Sequence, residues 1–510
     1  MNNLINNFIN KNNLINMNNL INKNNLKKIL YGGGKSSLIL IGVFVVFVFC
    51  CFLIGMFYFI SKSKKKASAE TPTETTTETP AETPTETPGI KPIETQIETI
   101  TTINYNLLDT LNNNVTYNDG NIIGGNLAFA STSSEWDNNK GIFTASSDGF
   151  YLINASFFIN GKTPGTRITL MVNNKLRYVI IEDNPNIITS ETLRTYSRVE
   201  QLSKGDTLIF KGGNGFTVFF GNENFSHSNI SITKLNINAS NYYYLIENAV
   251  YTVGYNDDEN IGSKSALISP SSEWDKDKGI FTASSDGFYL INASFFITGK
   301  SGGNRISLMV NKKLRYVIIE GNGISGATFR TYSRVEQLSK GDTLTFKGAN
   351  GFIMFFNDDN SSHSNFTITK LNIDIKNYYY LIENGPNNFN YNNGDNIGSK
   401  STLISTSTEW DSVKGIFTAS SDGIYLINVS FFINGKTPGN RISLMVNNKS
   451  RYCVIEGSAI SSETLRTYSR VEQLVKGDTL SFKVTVGDGF TIFVADDNSS
   501  HSNFTITKLN

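Results

Sequence analysis

The chain of 510 residues writes one long phrase three times over, and this repetition limits what it can fold into more than any other feature. GIFTASSDG begins at Gly141, Gly279 and Gly415, RTYSRVEQL at Arg194, Arg330 and Arg466, and KGDTL at Lys204, Lys340 and Lys476; ITKLN closes each copy, at Asn236, Asn372 and Asn510. The copies are 136 to 138 residues apart, well beyond the roughly 20–50 residues of a solenoid turn and within the size of an independent domain. Three tandem domains are therefore expected, at 101–236, 237–372 and 373–510. Any surface or interface made by one unit has near-copies on the other two.

Within a unit the apolar residues recur with the period of strands. In GFYLINASFFI, Tyr151, Ile153, Ala155, Phe157 and Ile159 share one face, and Asn154 and Ser156 lie on the other, the pattern of a half-buried strand. Arg167 to Val172, an Asn-Asn-Lys turn and Leu176 to Ile180 read as a hairpin. Ser197 to Leu202, a Lys-Gly-Asp turn and Thr207 to Gly212 read as a second. With short strands between Gly, Asn and Asp turns and no helical period, the expected class is all-β, a sandwich or jelly roll.

The first hundred residues differ in kind. Residues 1–66 hold nine Lys and no acidic residue, and within them Leu38 to Ile60 is an uncharged apolar run of 23 residues. At about 1.5 Å per residue it spans a hydrocarbon core of roughly 30 Å, so a transmembrane helix is expected at 38–60. Its length, its distance from the N-terminus and the following SKSKKK argue against a cleaved signal peptide. Residues 1–37, Asn-rich with scattered Leu-Ile pairs, read as a disordered tail. Residues 61–100 begin with a Lys cluster and continue as a Thr/Glu/Pro stalk with five prolines, seven Glu and one Lys after Ala67. This composition cannot bury a core and stays extended, as O-glycosylated stalks do. The balance of 45 Lys and Arg against 44 Asp and Glu thus conceals a basic anchor and an acidic spacer. It also argues against a nucleic-acid partner. Lysines flank the span on both sides, so the stalk and the units beyond it are what place the N-terminus in the cytoplasm and the three units outside, at a cell surface or viral membrane.

The phrase GIFTASSDGFYLINASFF, followed about fifty residues later by QLSKGDTLIF and a closing β phrase, resembles the globular head of complement C1q and its tumour-necrosis-factor-like relatives. Their strand entry reads Gly-x-Phe-Thr-Ala-Pro and their turn Leu-x-x-Gly-Asp. Ser146, Ser284 and Ser420 stand at the family's proline, and the ending ITKLN replaces its Phe-x-Gly-Phe. No Gly-X-Y run precedes the units. The resemblance implies a ten-strand jelly roll that trimerises and acts by binding a partner. Because first and last strands are neighbours in that fold, the links from Asn236 to Tyr242 and from Asn372 to Tyr378 would suit an intrachain pseudo-trimer. They would suit beads on a string, or a homotrimer of whole chains, equally well.

Residues for catalysis are sparse, and the expectation is a non-enzyme without cofactor or metal. The three histidines, His227, His363 and His501, stand in the same Ser-His-Ser phrase. They would ligate a metal only if a threefold arrangement gathered them, and solvated loop residues are the ordinary reading. Trp136, Trp274 and Trp410 each sit in Glu-Trp-Asp. They are candidates for stacking on a sugar or anchoring a protein, against a plain packing role. Lys204-Gly205-Asp206 and its copies match an integrin-recognition tripeptide, but a tight turn explains them. Arg194, Arg198 and Glu200 alternate along one strand, which reads as a solvated ion-pair face, or else as an inter-head interface. Asn114, Asn224, Asn360 and Asn498 are candidate N-glycosylation sites on loops, with further sequons on a strand at Asn154, Asn292 and Asn428. Cys453 replaces Val179 and Val317 of the other copies and reads as a small buried hydrophobe. The function that follows is a membrane-anchored recognition or adhesion protein with a protein or glycan ligand. The alternative is a structural fibre or coat protein of a virus particle or spore.

Overall fold

The computed structural model describes residues 103–510 except 110–113, 126–128, 131–132, 162–164, 183–191, 223–224, 247–251, 265–271, 300–303, 322–326, 359–360, 385–387, 401, 404–406, 436–438, 457–463, 494 and 497–498. The expected tail, membrane span and stalk lie outside the described residues. Among the described residues no helix is long and apolar enough to cross a membrane. The described residues all fall within one compact unit, Gln96–Asn510.

Each repeat is a sandwich of two antiparallel sheets, and among the described residues the architecture is all-β apart from two single-turn 3-10 helices, Ala239–Asn241 and Ile375–Asn377, between repeats. In the first repeat the inner sheet centres on the 13-residue strand Gly149–Gly161. One of its edges pairs with Thr192–Leu202 over the whole length from Gly149 to Ile159. The other pairs end to end with Asn229–Leu235 and Phe216–Phe219. The first strand, Ile103–Asp109, pairs with the last, Asn229–Leu235. The other repeats do the same, Tyr242–Ile246 with Asn365–Leu371 and Tyr378–Asn384 with Asn503–Lys508, so every unit begins and ends side by side. The outer sheet runs Lys175–Glu182, Arg167–Val172, Thr207–Gly213, Ile142–Thr144. Phe, Tyr, Ile and Leu side chains from both sheets close a separate core in each repeat.

The hairpin expected at Arg167 to Ile180 forms, with Asn173 and Asn174 at φ 52° and 58°, the left-handed values a two-residue turn needs to match strand twist. The hairpin expected from Ser197 to Gly212 does not form. Ser197–Leu202 belongs to the inner sheet and Thr207–Gly213 to the outer, so Lys204-Gly205-Asp206 arches between sheets. The arch is held by Gly205 N–H donating to Ala145 O at 2.8 Å and Ala145 N–H to Asp206 O at 2.9 Å, contacts distant in sequence. Gly205 sits at φ +89° there.

A second expectation also changes. The long central strand is buried on both faces, Phe150 to Phe158 without interruption, including Asn154 and Ser156. Alternation suggested that its polar face met solvent; instead that face meets the other repeats.

The second repeat places Lys312 at φ 63°, where the others have Asn174 and Asn448. An exposed lysine gains nothing from the left-handed conformation, which costs an ordinary L residue about 1–2 kcal/mol and asparagine less. Lys312→Asn is expected to stabilise the protein by about 0.5–1 kcal/mol, read as a raised thermal midpoint, while Asn174→Lys lowers it.

Candidate functional site: the junctions between repeats

The inner-sheet edge strands, Thr192–Leu202, Thr328–Leu338 and Thr464–Leu474, come together, and alternate residues of each strand form successive layers. Nearest the links lies an apolar layer of Phe150, Leu152, Val199 and Leu235 with their counterparts, among them Val335 and Val471. Two residues along, Ser197, Ser333 and Ser469 interleave with Asn154, Asn292 and Asn428. Ser197 Oγ lies 2.7 Å from Asn154 Oδ1 and 2.9 Å from Asn292 Oδ1; Ser333 Oγ is 2.8 Å from both Asn292 and Asn428; Ser469 Oγ is 2.8 Å from Asn428 and 2.9 Å from Asn154. The next layer is a ring of threonines: Thr195 donates to Thr467 O at 3.0 Å, Thr467 to Thr331 O at 2.8 Å and Thr331 to Thr195 O at 2.9 Å. Buried hydroxyls and amides are costly without partners, and each copy here supplies what another lacks. The sequon residues Asn154, Asn292 and Asn428 are at most 2% exposed, out of reach of a glycosylating enzyme in the folded protein.

Around this axis each repeat grips the next through one side-chain set. Arg198, Arg334 and Arg470 are at most 1% exposed and Glu200, Glu336 and Glu472 are each 4% exposed. The solvated ion-pair face expected here is a buried interface, because the neighbouring repeat covers it. Each arginine pairs with the glutamate two residues on, Nε to Oε2 at 3.2, 3.4 and 3.1 Å. It also lies over a tyrosine ring of its own repeat, 4.2 Å from Tyr178, 3.9 Å from Tyr316 and 3.7 Å from Tyr452. Its Nη1 crosses the junction: Arg198 Nη1 donates to Asn365 Oδ1, Arg334 Nη1 to Asn503 Oδ1, and Arg470 Nη1 to Asn229 Oδ1 at 2.7 Å. The order is first to second, second to third, third to first, a heterologous contact that closes.

Backbone pairing repeats the cycle. Ser362 of the second repeat pairs in parallel with Tyr178 of the first, Ser500 of the third with Tyr316 of the second, and Ser226 of the first with Tyr452 of the third. Apolar contacts flank these bridges: Val179 meets Phe296 and Phe329, and Cys453 meets Phe158 and Leu193. Cys453 is fully buried, which pushes its thiol pKa well up and keeps it unreactive.

The remaining candidates fall as follows. Trp136, Trp274 and Trp410 are 3%, 8% and 8% exposed and belong to the cores, with Trp274 edge-on to Phe366 and Trp410 tilted against Phe504. They present no ring face to a sugar. The Asp of each Glu-Trp-Asp caps its own loop; Asp137 Oδ1 accepts from the N–H groups of Asn139 and Lys140, both at 3.0 Å. Asp206 likewise accepts from Ser203 N at 2.8 Å within its arch and from Asn173 Nδ2 at 2.7 Å. Asn114 is exposed, just ahead of the strand Val115–Tyr117, whereas Asn224, Asn360 and Asn498 lie outside the described residues. The histidines are not solvated loop residues: His363 and His501 are 6% and 8% exposed and pack on Phe296 and Phe432. His227 packs on Phe158, with Nε2 3.3 Å from Glu456 of the third repeat. Among the described residues no group of His, Cys, Asp and Glu gathers as metal ligands.

No family model matches the chain, and no curated protein matches it. Among solved structures a Paenibacillus xanthan lyase is similar at 11% identity over 73% of this chain and 35% of the lyase, with a TM-score of 0.16. The chain spans about a third of that enzyme's length, and a likeness so slight carries no argument about fold or chemistry.

Two measurements test the junctions. Arg334→Met strands the buried Glu336 beside the half-exposed Arg315 alone, and a loss of about 3 kcal/mol is expected. Adding Glu336→Gln should return at least half of it, seen in the thermal midpoint; no recovery would mean the arginine matters only for packing. Burial lowers the pKa of His227, the nearby Glu456 raising it only in part and Arg441 lowering it further. The unfolded chain therefore binds the proton more readily, so stability is full above the ordinary histidine value of about 6.5 and falls as pH drops below it. His227→Gln should flatten the stability profile between pH 7 and 5, and an unchanged slope would remove His227 from the account.

Proposed function

We propose that the protein is a membrane-anchored, non-enzymatic display device: one helix and an acidic stalk carry three C1q/TNF-like jelly-roll heads, closed within one chain into a pseudo-trimer, for recognition or adhesion. The observation that supports it best is the closed cycle of Arg–Asn contacts, since such a contact either runs on into a filament or returns to its origin. The two sheets of each repeat, with first and last strands adjacent, agree with a jelly roll. The links fit the same reading, because each joins two strand ends at the apolar base of the axis, where Ile237 and Ile373 pack against the shared layer.

Tying three heads into one chain removes the association step that a trimer of separate chains must complete, because the second and third heads are always present at high effective concentration. It also lets the heads diverge. Cys453 in place of valine and Lys312 in place of asparagine are differences that a homotrimer could not place on one face alone. Binding would then be multivalent, through the loops at the outer ends of the sandwiches, with the buried tryptophans as scaffold.

Residues 96–510 are expected to sediment as a compact single chain; an elongated monomer or a three-chain mass would defeat the pseudo-trimer. The recognition role is tested by binding of the purified protein to intact cells and arrayed glycans. Saturable binding supports it, whereas inert heads that copurify with a virus particle or spore favour a coat or fibre role.

A further inference from the structure

The chain carries twelve Asn-x-Ser/Thr triplets, and the fold sorts them. Asn224, Asn360 and Asn498 lie outside the described residues. Six others are part of the ring: Asn154, Asn292 and Asn428 bond the serines of the axis, Asn229, Asn365 and Asn503 accept from the junction arginines, and all six are at most 4% exposed. Of the described triplets, three keep an exposed asparagine, at Asn114, Asn238 and Asn448. We propose that Asn238, in the link between the first and second repeats, is a site of N-glycosylation. The proposal rests on the reading that the heads lie across the membrane from the N-terminus, where a transferase meets them.

What singles out Asn238 is the state of its whole triplet. Transfer needs the side-chain amide and the hydroxyl two residues on to be presented to the enzyme together, on surface chain that is not locked into a sheet. Asn238, Ala239 and Ser240 are all exposed, on a link outside both sheets whose single turn is closed by the backbone alone, Asn241 N–H donating to Asn238 O at 2.9 Å. Neither the Asn238 amide nor the Ser240 hydroxyl is hydrogen-bonded to a described residue. Ile237 beside them packs into the apolar base layer, so the link is anchored while the triplet stands clear of it. The two rivals are less available. Thr116, the hydroxyl residue of the Asn114 triplet, bonds Thr217 at 3.2 Å across paired strands. Asn448 stands at φ 60° in a two-residue turn, and Ser450 is paired with Met445 in the hairpin. The second link reads Asp374-Ile375-Lys376 where the first reads Asn238-Ala239-Ser240, so the site is not a by-product of duplication. In the transfer, Nδ2 of Asn238 bonds the anomeric carbon of a lipid-linked oligosaccharide diphosphate. The bond from that carbon to the phosphate oxygen breaks, the lipid diphosphate leaves, and one amide proton passes to a base of the transferase. The sugar then stands at the base of the axis, the end where Ile103 enters the first repeat beside Lys234, and leaves the loops at the other end of the sandwiches uncovered.

The test is expression of the full chain in cells that N-glycosylate, with the occupancy of each site read by mass spectrometry before and after digestion with a peptide N-glycosidase. A second form carries Thr75→Asn, which sets a reporter triplet in the stalk. Asn238 is expected to be occupied in most chains and more fully than Asn114 or Asn448, with the six buried asparagines bare in the compact fraction. Asn238→Gln and Ser240→Ala should each remove one glycan, and Ser240→Thr should keep it; all three substitutions fall on exposed positions outside the sheets and leave the thermal midpoint of the unglycosylated protein unchanged. A modified stalk reporter with Asn238 bare, or Asn238 occupied no more than Asn448, would overturn the proposal and leave the orientation of the heads standing. A bare reporter together with a bare Asn238 would overturn both.

Discussion

The structure depends on one requirement: the polar side of each edge strand needs two other copies of itself. Thr195 and Ser197 meet the matching residues of the other repeats, while Arg198, paired with Glu200 of its own repeat, completes its hydrogen bonds on Asn365 of the second. A single repeat would leave an arginine, a glutamate, a serine and a threonine on a sheet edge open to water, where they gain little. Enclosed in the ring they are satisfied, and their geometry permits only the arrangement in which each repeat grips the next.

The buried Arg–Glu–Tyr sets act on specificity more than on bulk stability. Desolvating an ion pair usually consumes much of its Coulomb energy, so the apolar base layer and the three separate cores supply the main driving force. An arginine reaching an asparagine of the next repeat, on the other hand, tolerates no slip of register. Polar layers therefore set which faces meet, and apolar layers reward the meeting.

Much of the fold was legible in the residues, and the misreadings share one cause. Strand positions, the Asn-Asn turn at 173–174 and the three-unit division follow from local pattern and internal repetition. The Ser197–Gly212 hairpin was misread because two strands joined by a short turn look alike whether they pair or cross between sheets; the contacts that decide are those of Ala145 with Gly205 and Asp206. For the tryptophan of Glu-Trp-Asp, local pattern leaves ligand stacking and plain packing both open, and the structure turns the ring inward while the aspartate caps the loop. Cys453 was read correctly as a buried hydrophobe, since a valine site needs only volume.

The sequence by itself determined that there are three near-identical all-β units, a 23-residue apolar segment long enough to span a bilayer and an acidic spacer, because periodicity, repetition and composition are local properties of the chain. Only the tertiary structure decided that Asn154, Ser197, Arg198 and Glu200 are interior residues. A polar face on a strand has the same pattern whether water or another copy of the strand covers it. The difference lies in contacts up to 315 residues apart, which no local pattern encodes.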